Sequence, residues 1–147
     1  MTLSVEIEHR QGGFSLDTRF ECGAGVTALF GRSGSGKTTL VNAIAGLIRP
    51  RKGRVVFDGE TLFDSERGIH MRAGRRRFGY VFQEGRLFPH LSVRQNLTYS
   101  HWFDRGLHSS PDLSHVVELL GIGELLQRRP AQLSGGEMQR VAIGRAL

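Results

Sequence analysis

The stretch "GRSGSGKTT", residues 31–39, constrains this chain more than any other. It fits the P-loop pattern G-x-x-x-x-G-K-S/T, which requires a strand before it and a helix after it. Gly34 and Gly36 let the backbone curl so that successive N–H groups point inward at phosphate oxygens. A helix opening near Lys37 adds its own unpaired N–H groups and the positive end of its dipole. Lys37 is suited to reach the β- and γ-phosphates of a nucleotide, and the Thr38 hydroxyl to hold Mg²⁺. Gly31, Arg32, Ser33, Ser35 and Thr39 complete the loop. The flanks agree. "VTALF" at 26–30 is a short apolar run of the kind buried on both faces of a parallel sheet. Leu40, Ile44 and Leu47 then fall at helical spacing until Arg49 and Pro50. A tight turn with a surface lysine explains neither the Lys-Thr-Thr run nor three glycines.

A second glycine pair stands near the end, in "LSGGEMQRVAIGRAL" (133–147). Ser134 is a good N-cap, and Glu137 three residues on completes a capping box. Neither residue accounts for Gly135 and Gly136, each less favourable than alanine in a helix by up to about 1 kcal/mol. A first turn without side chains allows close approach to the backbone. It is a second anion site, lacking a lysine of its own. One molecule binding two phosphates and two molecules sandwiching one nucleotide both satisfy these residues.

The rest of the chain supplies a frame. Residues 3–8 alternate like a half-buried strand, "FSLDTRF" reads as a second strand, and 53–63 as two short strands around an Asp58-Gly59 turn. "FGYVFQ" (78–83) is an apolar strand ending in Gln83. From 84 to about 127 the pattern is mainly helical, clearest in "LSVRQNLTY" and "SHVVELLG", before Arg129-Pro130 breaks it. The formal charge of +6 gathers in "MRAGRRR", where Arg72, Arg75, Arg76 and Arg77 read as a solvated arginine face. No aromatic-interleaved RNA motif or zinc-finger spacing accompanies it, so nucleic acid is not the expected partner. Cys22 alone forms no intramolecular disulfide, and no run approaches the roughly 18 apolar residues of a membrane span. The expectation is a soluble protein of the cytoplasm.

The segment 133–147 resembles the signature segment of ABC-type ATPases, and the order agrees: P-loop, strand ending in Gln83, helical region, signature. The resemblance implies an α/β fold, the P-loop nucleotide hydrolase core of ABC-ATPase type. Its parts would be the β-rich and P-loop part of the ATPase core at 1–83, including the N-terminal β subdomain and the start of the parallel-sheet core, a helical subdomain at 84–130, and the signature motif with its helix at 131–147. It also implies a head-to-tail dimer with a second ATPase subunit. ATP with Mg²⁺ would lie between Lys37 and Thr38 of one subunit and Leu133, Ser134, Gly135, Gly136 and Glu137 of the other. Gln83 matches the family's Q-loop glutamine, a catalytic residue that contacts Mg²⁺ or the attacking water. "EGRLFPHLSV" (84–93) follows where family members meet membrane-spanning partners; an exposed Leu87-Phe88-Pro89 step would suit that contact, and local core packing would suit those residues equally.

Residues 62–97 and 26–50 are similar to the ATP-binding subunits of bacterial molybdate importers more than to those of sugar importers. That likeness implies an ATP-hydrolysing subunit, peripheral on the cytoplasmic face of the membrane. It would join permease subunits and, indirectly, a periplasmic or surface substrate-binding protein. A sulfate or other small-molecule importer is the near alternative. A soluble ABC-type ATPase acting on nucleic acid or the ribosome through "AGRRR" is the distant one.

Two departures stand out. The family's adenine-stacking aromatic has no counterpart around "EHRQGG"; His9 could substitute, but it reads first as a surface histidine. "RVVFD" (54–58) mimics the family's apolar strand ending in Asp, but Asp58-Gly59 suits a hairpin turn better. The strand ending in Asp, the catalytic Glu and the strand ending in His are expected beyond Leu147. The 147 residues alone are therefore expected to be inactive and prone to aggregate.

Overall fold

A computed structural model describes residues 1–99 and 112–147. The part of the expected helical region at 100–111 lies outside the described residues. The chain divides into two compact units, Met1–Phe78 and Gly79–Leu147.

The first unit is an antiparallel sheet with one helix. β1 (Leu3–Gln11) and β2 (Phe14–Cys22) form a hairpin whose register runs from Leu3 opposite Cys22 to Gln11 opposite Phe14. β3 (Lys52–Phe57), β4 (Glu60–Asp64) and β5 (Ile69–His70) continue the sheet in the order β2-β1-β3-β4-β5. The period of two does what the sequence expects: Val5 and Ile7 are buried while Glu6 and Glu8 are exposed. Asp58 and Gly59 form the β3–β4 turn, and Asp58 also accepts from the Thr2 N–H, so it serves the hairpin. α1 (Lys37–Ala45) lays Leu40 and Ala43 onto Val5, Ile7, Leu16, Val55, Leu62 and Phe63. Burying each of these aliphatic and aromatic side chains is worth roughly 1.5–3 kcal/mol.

α1 is shorter than its spacing predicts. Gly46 turns left-handed (φ 78°), its N–H returns to Ala43 O, and Leu47 N–H returns to Asn42 O. Leu47 is therefore outside the helix and half exposed.

The second unit is helical. α2 (Val93–Leu97), α3 (Leu113–Leu120) and α4 (Gly135–Ala146) surround Val93, Leu97, Ile122, Leu125 and Val141. α4 approaches its neighbours closely at Gly144, where a Cβ would lie 2.9 Å from both Leu120 Cδ1 and Leu97 Cδ2. Asn96, fully buried, holds the preceding loop: its Oδ1 accepts from Phe88 N–H at 2.8 Å and its Nδ2 donates to Phe88, Leu91 and Ser92 carbonyls.

The two strands expected for a parallel core are not strands. Residues 26–30 and 78–83 carry no ladder, and Val26 and Phe30 are almost wholly exposed. An inner parallel strand exists only by its neighbours' N–H and C=O groups. Among the described residues the sheet holds only β1 to β5, and neither segment joins it.

Candidate functional site

α2 shows a helix N-terminus that the protein satisfies itself. Ser92 Oγ accepts from Gln95 N–H, Val93 N–H donates to Arg128 O at 2.8 Å and Arg94 N–H to Leu126 O at 3.0 Å. The donors that every helix start leaves over are consumed there. The starts of α1 and α4, which carry the predicted glycines, are built differently.

α1 begins behind Gly36 with no side-chain cap and no acidic residue in its first turn. Gly36 is left-handed (φ 92°), and a Cβ there would lie 2.5 Å from Phe14 Cζ and 3.2 Å from Leu16 Cδ1. Glycine is thus required twice over, by its dihedral and by the hairpin beneath it. Lys37 Nζ donates to Gly31 O and Arg32 O at 2.8 Å each and reaches Ser35 Oγ at 3.4 Å. The ammonium rests against the loop's own carbonyl dipoles, contacts that an anion's oxygens can replace. Ser35 N–H donates to Arg32 O at 3.2 Å and closes the turn. Arg32, Ser33 and Thr38 are exposed, and Thr39 is half-buried beside them.

α4 begins with the reciprocal pair. Ser134 N–H and Oγ donate to Glu137 Oε2 at 2.7 and 2.8 Å, and Glu137 N–H returns to Ser134 Oγ at 3.4 Å. The Ser134 backbone N–H, then its hydroxyl, hold the Glu137 carboxyl below the usual carboxylate range, with Arg128 and Arg140 adding positive potential. Leu133 packs on the second core and anchors the turn. At Gly135 and Gly136 a Cβ would meet no heavy atom within 4 Å. Nothing among the described residues needs glycine there.

Gln83 is exposed, in the turn that begins the loop to α2. The structure thus groups Gly31–Thr39 at one end of α1 and Leu133–Glu137 at one end of α4, with Gln83 in the same unit as α4.

The structure corrects one expectation and decides two open readings. Arg76 does not belong to a solvated face. It is 4 % exposed and donates to the carbonyls of Met71, Ala43 and Ile44, while Arg72, Arg75 and Arg77 remain in solvent. Leu87 packs on the second core and Phe88 against Tyr99, with ring centroids 4.1 Å apart; of the step 87–89 only Pro89 is exposed. His9 sits in β1 opposite Leu16 with its Nδ1 buried and unpartnered, and the aromatic that meets the P-loop is Phe14. Its signal was a phenylalanine opening β2, indistinguishable in sequence from a core residue.

The profile of the ABC transporter family matches residues 16–147. The chain belongs to that family. It is 63% identical over 147 residues to the molybdenum import ATP-binding protein of Rhizobium meliloti (strain 1021), covering 100% of this chain and 41% of that protein. It is 58% identical over 145 residues to the protein of that name from Paramagnetospirillum magneticum (strain AMB-1), covering 99% and 40%. The chain spans about two fifths of the length of these relatives. A bacterial ABC transporter cassette solved as a dimer matches with a TM-score of 0.74 at 27% identity, over 100% of this chain and 69% of that one. A dimeric post-hydrolysis state of an ATP-binding cassette bound to ADP and Pi matches with a TM-score of 0.70 at 27% identity, with the same coverage. These ABC cassettes share the fold of this chain, an antiparallel N-terminal sheet with a helical part. No helix among the described residues is long and apolar enough to cross a membrane.

Proposed function

We propose that this chain is the nucleotide-binding portion of the ATP-hydrolysing subunit of a molybdate importer, peripheral on the cytoplasmic face of the membrane. One observation carries the reading: α1 starts with no side-chain cap, and α4 caps only its Ser134 and Glu137 N–H groups and leaves Gly135 and Gly136 clear, whereas α2 closes its own start. At the α1 site Lys37 exchanges the carbonyls of Gly31 and Arg32 for phosphate oxygens, and residues 31–39 wrap the phosphate chain. The α4 site has no cation of its own in the glycine turn, which suits a γ-phosphate already neutralised by another subunit's lysine. That supports a head-to-tail dimer with a second ATPase subunit, each contributing Leu133–Glu137 in trans. The exposed Thr38 hydroxyl and Gln83 carboxamide are oxygen donors of the kind Mg²⁺ takes. When bound, that ion would neutralise charge on the phosphates. Gln83 would orient the attacking water, and permease subunits would take up the work, fed by a substrate-binding protein. Molybdate rests on the named relatives, with sulfate as the near alternative. Burial of Arg76 weakens the nucleic-acid alternative, since its arginine patch loses a member.

The test is ATP binding, hydrolysis and molybdate uptake by the full-length protein with its permease. Lys37→Ala should lower hydrolysis by about 100-fold or more, as expected for losing a preorganised charge at a phosphoryl group. Steady hydrolysis by that variant would sink the nucleotide reading. Uptake of sulfate in place of molybdate would move the substrate to the alternative.

A further inference from the structure

Arg145, in the last turn of α4, has no role in either anion site, yet it is among the most heavily engaged side chains of its unit. Its Nη1 donates to Arg86 O at 2.8 Å and its Nη2 to Gly85 O at 3.2 Å. Its guanidinium carbon lies 5.5 Å from the centre of the Phe88 ring. Burial presses its pKa downward without removing the charge, so it is held as a cation by those carbonyls. The same loop meets α4 at two further points. A Cβ on Gly85 would lie 3.2 Å from Met138 Cγ, and a Cβ on Gly79 would lie 2.3 Å from Ala146 O. The segment carrying Gln83 is therefore laid along α4 from Gly79 to Phe88, with Arg145 as its only charged fastening among the described residues.

We infer that Arg145 is a positioning residue that fastens the loop after Gln83 to α4, so that this loop and the glycine turn at the other end of the same helix shift together. The inference deepens the proposed function and rests on it for the meaning of that shift. A packed helix carries displacement between its ends far better than a loop does, because its ladder resists bending. The planar fork holds two N–H groups of Arg145 on two adjacent carbonyls in one fixed geometry, which a lysine ammonium, a point charge on a flexible stem, reproduces less rigidly.

Hydrogen exchange and steady-state kinetics of the full-length protein in its permease complex test this, with Arg145→Met and Arg145→Lys compared to the parent. In Arg145→Met the amides of residues 85–88 should exchange about tenfold faster or more, the effect of losing a charge-assisted hydrogen bond, with α2 and β1–β4 unchanged. Its kcat should fall while the KM for ATP stays within about twofold, since Lys37 is untouched. Arg145→Lys should lie between. Unchanged exchange at 85–88 in both variants would overturn the inference. So would an equal loss of protection throughout α4 in both, which marks a general fold defect. A parent protein that hydrolyses no ATP would refute the proposed function while the exchange data still judge the fastening.

Discussion

Gly36 ends the P-loop with its α-carbon against the Phe14 ring, whereas Gly136 begins α4 with open space where a side chain would stand. The two glycines have opposite expected responses to substitution. Gly36→Ala puts a Cβ 2.5 Å from Phe14 Cζ at a left-handed dihedral and should destabilise the full-length protein by about 1–3 kcal/mol. Gly136→Ala relieves a poor helix former and should leave stability unchanged or raise it by up to about 1 kcal/mol. Its ATP hydrolysis should nonetheless fall, because the added methyl stands where the proposed partner phosphate approaches. Urea unfolding and hydrolysis on the same preparations separate the two effects. A Gly136→Ala protein that is less stable yet fully active would contradict this account. Gly36 was legible in the sequence from the P-loop pattern and Gly136 from its cost to a helix. Which one is internally required was not, since that depends on Phe14 lying across the hairpin.

At the scale of the element, α1 is finished at both ends by other parts of its unit. Its start is the phosphate cradle. Its end is closed by Arg76, whose Nη1 donates to Ala43 O at 2.9 Å and Ile44 O at 2.6 Å, while Nε donates to Met71 O at 2.9 Å. A cation at the C-terminal carbonyls also complements the helix dipole. Arg76→Met leaves those buried acceptors without their donor and should cost about 3 kcal/mol, at 1–3 kcal/mol per abandoned group with partial relaxation. Arg76→Lys should recover less than half, because the single ammonium nitrogen cannot stand at both positions from which Nε reaches Met71 O and Nη1 reaches Ala43 O and Ile44 O. Thermal unfolding of the two variants checks the order. Equal stability of Arg76→Met and the parent would mean that the fork contributes nothing. The capping box at Ser134 needed no such long-range help and forms where the residue types predict, and the structure adds a second, equally local one at Ser92 and Gln95.

At the scale of the molecule, folding couples to protons through His70. Its Nδ1 is buried with no partner, its ring stands edge-on to Phe63 at 6.1 Å, and burial, then Arg76 and Arg49, hold its pKa below the ordinary value. An unfolded histidine titrates near about 6.5. In the window below that value the unfolded chain binds more protons than the folded one, so stability should fall as pH drops through 6.5 toward the folded pKa. His70→Gln should flatten that slope between about pH 7 and 5.5. Chemical unfolding midpoints of the full-length protein across that range measure it, and an unchanged slope would assign the pH dependence elsewhere. The sequence by itself determined the hairpins, the helix starts and the two glycine turns, because period, turn chemistry and caps act within a few residues. Only the tertiary structure decided which of four neighbouring arginines is buried, that Leu87 and Phe88 turn inward, and that 26–30 lies unpaired and exposed. Each of those outcomes depends on groups far along the chain, such as the Ala43 carbonyl 33 residues from Arg76, which no local pattern encodes.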